Sequence, residues 1–170
     1  MSVEKLDAQT LRKEIRNRRW TGQTSGAAQG FVQANVVMLH RDFAFDFLLF
    51  CTRNPKPCPV LDVLEPGETS PAIAPDADIR TDVPRYRIFR DGQFAREQEE
   101  VTDLFSGETV SFLIGSSFSF EKALMEAGVP VRNIEEGKNV SMYSTTIPCR
   151  SAGPFSTNLV VSMRPMLPKD

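Results

Sequence analysis

The chain has 170 residues and a formal net charge of -2, with 41% hydrophobic and 25% charged residues. That length suits one domain, or one plus a small appendage, and buries about 70% of the surface exposed by the unfolded chain. The near-neutral charge excludes a broad attraction to nucleic acid or anionic lipid, and no apolar run approaches the ~18 residues of a membrane helix.

In chain order, DAQTLRKEIRNRR (7–19) predicts an amphipathic helix: Asp7 suits the cap, and Leu6, Leu11 and Ile15 fall near one face. The N-terminus lacks an apolar h-region, so it reads as neither a secretory signal nor, with its acids, a transit peptide. The expected location is cytoplasmic. TGQTSGAAQGF (21–31) reads as a loop and FVQANVVML (31–39) as a strand. HRDFAFDFLLFCTRN (40–54) fits a helix, with Phe43, Phe47, Phe50 and Cys51 at helical spacing, and NPKPCP stops it. VLDVLEPGE (60–68) resembles a strand ending in a turn, and the proline-rich residues 70–84 a long loop. RYRIFRDGQF (85–94) predicts a hairpin turning at Asp91-Gly92.

Val110 to Ile114 predict a buried strand that meets Gly115 and two serines, followed by a helix over 120–129 closed by Gly128. Residues 133–155, NIEEGKNVSMYSTTIPCRSAGPF, hold few large apolar residues and read as a loose tail or a site wall. NLVVSMRPM (158–166) is a last strand. The fold class is mixed α/β with a central mixed sheet.

Chemistry is limited by what is scarce. His40 is the only histidine, and the three cysteines, Cys51, Cys58 and Cys149, include no CxxC. Neither a Cys/His zinc site nor a serine–histidine triad is supported, and an odd cysteine count argues for reduced thiols. In GSSFSFE (115–121), Ser116, Ser117 and backbone amides suit an anion cradle; they equally suit helix capping, with Glu121 as partner. Glu135 and Glu136 are candidate general acids or bases, or a solvated turn. Arg150 suits a carboxylate clamp, and Cys149 is either a nucleophile or a packing residue. Arg80, Asp82, Arg85 and Arg87 form either an anion-binding loop or a surface of weak Arg–Asp pairs.

The blocks GFVQANVVML, DFAFDFLLFCTRNPKPCPVLDVLEPG, DIRTDVPRYRIFRDG, VSFLIGSSFSFE, GVPVRNIEEGKNVSMYSTTIPCRSAGPFS and VVSMRPM resemble the hydro-lyase family that includes mitochondrial D-glutamate cyclase. The resemblance runs from about residue 8 to 166. It implies a lyase of amino acid metabolism that reversibly closes D-glutamate to 5-oxo-D-proline with release of water. It implies no metal or organic cofactor. Family members carry Gly-Cys-Ser-Phe where this chain has Gly115-Ser116-Ser117-Phe118. They also continue past the SMRPM strand, so the chain is expected to correspond to the family's N-terminal part, one truncated domain over residues 1–170.

On that resemblance, a small carboxylate is the expected substrate. Arg150 is the first choice for the α-carboxylate and Arg85 the second, with Arg80 and Cys149 beside them. Ser116 and Ser117 suit the oxyanion, and Glu121, Glu135 or Glu136 the proton transfers. The rival reading is a truncated, non-catalytic homologue that binds a small carboxylate or a partner chain. A homo-oligomer stays open; nucleic acid and membrane partners are not expected.

Overall fold

The computed structural model describes residues 6–167. Residues 1–5, part of the stretch on which the absence of a leader was read, lie outside it. The helix α1 (Ala8–Arg16) starts where Asp7 accepts from the Thr10 N–H at 2.8 Å. Its Leu11 and Ile15, one turn apart, bury against Ala27 and Ala28 of the following loop. Its other face is tied to the long loop by Arg12–Asp76 and Arg16–Asp82 pairs.

The centre is a three-stranded sheet in the order β1–β5–β2. Strand β1 is Ala34–His40, helix α2 is Arg41–Arg53, and β2 is Val60–Leu64. After the hairpin of β3 (Tyr86–Arg90) and β4 (Gln93–Gln98), β5 (Thr109–Gly115) enters between β1 and β2, antiparallel to both. Strands β1 and β2 therefore run parallel, with α2 as their crossover. Phe112 and Ile114 of β5 pack with Cys51 of α2 and with Phe47; Leu113, on the opposite face, packs with Leu64 and Ile79. Burial on both faces explains why β5 reads as a continuous apolar run.

The α/β class is as read, but the central sheet is antiparallel throughout, a narrower arrangement than the mixed sheet expected. The β3–β4 turn has φ 49 at Asp91 and φ 74 at Gly92, the positive pair that a tight two-residue hairpin demands.

Beyond β5, a 3-10 turn (Ser117–Phe120) leads into α3 (Glu121–Glu126), and Gly128 follows it at φ 76. The polar stretch 133–155 is not a tail. It holds the end of the short α4 (Arg132–Glu135) and the whole of β6 (Ser141–Pro148), paired antiparallel with β7 (Asn158–Met163). The loop between them is strapped to α2. Asn54 donates to the Arg150 carbonyl and accepts from its N–H, and Phe155 packs edge-on to Phe47 at 5.1 Å.

Candidate functional site

At the strand–turn–helix junction the sequence places Glu121 on the first turn of α3. Its side chain is only 3% exposed. Burial of a carboxylate requires a partner, and Arg164, just past the end of β7, supplies it. Its Nη2 and Nε donate to one oxygen, Oε1, at 2.6 and 2.9 Å. The same guanidinium donates to Ser117 Oγ at 3.2 Å and Ser162 Oγ at 3.1 Å, and the two hydroxyls lie 3.2 Å apart. Phe120 covers the guanidinium, with its ring centre 4.7 Å away. Among the described residues, the second carboxylate oxygen, Oε2, is buried without a hydrogen-bond partner.

Glu121 also lines a cavity of about 10 Å³, room for one water-sized sphere, under the 26–33 loop. Gln33 of that loop donates its N–H to Ser119 Oγ and accepts from the Ser116 N–H, which holds the loop on the turn. A larger groove of about 280 Å³ lies between α1 and residues 73–76 and contains none of the candidate residues.

The contacts thus join two of the candidates, Ser117 and Glu121, and add two residues that the sequence reading passed over, Ser162 and Arg164. A lone arginine closing an otherwise apolar strand was the signal available. Ser116 accepts from the Phe118 N–H and caps the turn, one of the two roles its position in the sequence suits. Because α3 has six residues, its N-terminus offers no developed helix dipole.

The remaining candidates stand elsewhere in the contact network. Glu136 is exposed between Arg132 and Lys138, whose hydrogen bonds and charges hold its carboxyl at about 2. Glu135 is exposed beside it on α4. Arg80 pairs with Asp78 at 2.7 Å, and Arg85 with Glu97 at 3.1 Å on the β3–β4 hairpin. The side chain of Arg150 is exposed while Asn54 fixes its backbone. Cys149 is half-buried near Cys58. Burial pushes the Cys58 thiol up, and burial, then the neighbouring Cys58, pushes Cys51 to about 11. Among the described residues, no group of three or more His, Cys, Asp or Glu is placed to hold a metal ion, and no helix is long and apolar enough to cross a membrane.

These features define an α/β chain with a buried carboxylate–guanidinium cluster at a strand–turn–helix junction. Residues 110–170, which carry the whole cluster, match the family model described as D-glutamate cyclase. The chain is 60% identical to the protein named "Putative hydro-lyase" of Syntrophobacter fumaroxidans, over 94% of this chain and 61% of that protein. It is 56% identical to a protein of like name from Staphylococcus haemolyticus (98% and 64% covered) and 51% identical to one from Geobacillus kaustophilus (97% and 63%). The chain spans less than two thirds of the length of these curated relatives. The hydro-lyase family resemblance read from the sequence is shown over nearly the whole chain.

Proposed function

We propose that the chain carries part or all of a hydro-lyase site of the D-glutamate cyclase kind. The observation that supports this is the orphan Oε2 of Glu121. A buried carboxylate oxygen without a partner is costly, and a bound water, strain or a chemical role each accounts for such an atom; we take the last. Ring closure of D-glutamate forms a bond from the amine nitrogen to the γ-carboxyl carbon. It breaks the bond from that carbon to a hydroxyl, which leaves as water. One proton leaves the amine and one reaches the departing hydroxyl.

In this reading Glu121 carries the proton between the two, through Oε2. Arg164, Ser117 and Ser162 face the oxygen that gains charge at the tetrahedral carbon. Holding both ends of a flexible substrate together supplies part of the rate. The test is conversion of D-glutamate to 5-oxo-D-proline, followed by proton NMR. Turnover that falls at least ~100-fold in Glu121→Gln supports the reading. No turnover, by the chain alone or together with the remaining segment of a relative, counts against it.

The small cavity favours a second reading. At about 10 Å³ it does not admit glutamate unless the 26–33 loop moves. The cluster then serves as a buried tie between β7 and α3 in a non-catalytic homologue.

A further inference from the structure

The β6–β7 ribbon stands apart from the central sheet, as a two-stranded unit of its own. An isolated two-stranded ribbon is marginal in water and needs a third strand or a covering layer. Its two faces can be read from the register, because Met142 pairs with Ser162, Tyr143 with Val161 and Ser144 with Val160. One face presents Met142 and Val160, 61% and 54% exposed, beside Ser162. The other presents Tyr143, Val161 and Met163. Large apolar side chains are thus exposed on both faces, the pattern of strands meant for the interior of a layered sheet.

This pattern discriminates among occupants. A second copy related by a two-fold axis joins one patch to its twin and leaves the opposite face bare. A cover for both faces and an added edge needs a longer piece of chain. The matched 161 residues are 61% of the Syntrophobacter fumaroxidans relative, so about 100 of its residues lie outside the match. We infer that the β6–β7 ribbon is the docking surface for that remaining segment of the family chain, which covers both of its faces. The inference concerns a surface and stands apart from the hydro-lyase reading.

The test co-expresses the tagged 170-residue chain with the residues of the Syntrophobacter fumaroxidans relative outside the match. The expected result is a 1:1 complex by size exclusion with light scattering. Amide exchange over 141–163 then slows at least tenfold, while 86–98 is unchanged. Tyr143→Lys and Val160→Lys, on opposite faces, each weaken the complex at least tenfold; Phe89→Lys on the other hairpin does not. Exchange in the wild-type chain reads the same surface if a lysine variant fails to fold. Failure to co-purify, lysine variants that bind like wild type, or a stable homodimer that protects 141–163 and excludes the segment would each overturn the inference. A complex without turnover leaves the docking intact and counts against the hydro-lyase reading alone.

Discussion

Arg164 donates to Glu121 through two nitrogens although 43 residues separate them, and both side chains are nearly sealed from solvent. Breaking such a pair from one side strands a buried charge. Glu121→Ala is expected to cost about 3–5 kcal/mol in urea unfolding. The paired replacement Glu121→Leu with Arg164→Met removes both charges and is expected to lie within about 1 kcal/mol of wild type, or above it. A double variant as unstable as the single one would mean that the ion pair is not what joins β7 to α3.

Asn54 spends its side-chain amide on the strap. It donates to the Phe50 carbonyl at 2.7 Å and the Arg150 carbonyl at 2.9 Å, and accepts from the Arg150 N–H at 2.8 Å. Asn54→Ala leaves Arg150 backbone groups unpaired and should cost about 1–3 kcal/mol. Hydrogen exchange should quicken at Arg150 in particular. Protection there equal to wild type would contradict this.

Gly153 has φ 50, and a Cβ at that position would collide with Asp46 Oδ2 and lie 2.8 Å from Asp46 Cβ. Rotating the aspartate does not move its own Cβ, so the clash is not relieved by a rotamer change. Gly153→Ala should lower thermal stability by at least ~1–3 kcal/mol from backbone strain alone. Adding Asp46→Ala should restore part of it. A Gly153→Ala variant as stable as wild type would show that the loop shifts freely over α2.

Glu136 is held at about 2, below its ordinary 4.5, by Arg132 and then Lys138. A depressed carboxyl pKa contributes stability that is present above about 4.5 and is lost as pH falls towards 2. Carbon-detected NMR titration should find Glu136 still ionised at pH 3. Lys138→Ala should raise its midpoint. At neutral pH Glu136 then has no proton to donate, which disfavours it as a general acid. A midpoint at the ordinary value would contradict the hold of Arg132 and Lys138 on this carboxylate.

Local patterns in the sequence carried much of the fold. The Asp7 cap, the apolar run of β5 and the Asp91-Gly92 turn each depend on neighbours within a few residues, and each was legible. Strand β6 was not, because its alternation uses Ser, Thr and Tyr around few apolar residues, and its pairing with β7 is a non-local fact. The candidate site divided in the same way. Ser117 and Glu121 lie four residues apart on one junction, so sequence spacing grouped them. Arg164 joins them only through the return of β7, and no spacing rule reveals that. For the arginines at 80, 85 and 87 the sequence left an anion-binding loop and a surface of ion pairs open; Arg80 pairs locally with Asp78, whereas Arg85 and Arg87 reach Glu97 only through the return of the hairpin.

The central claim is that substrate chemistry sits at Ser117, Glu121, Ser162 and Arg164. The most direct measurement is a two-dimensional amide NMR titration of the 170-residue chain with D-glutamate and 5-oxo-D-proline. Saturable shifts concentrated at residues 117–121 and 162–164, and lost in Glu121→Gln, are the predicted result. A dispersed spectrum that ignores both ligands, or that responds only elsewhere, would contradict it.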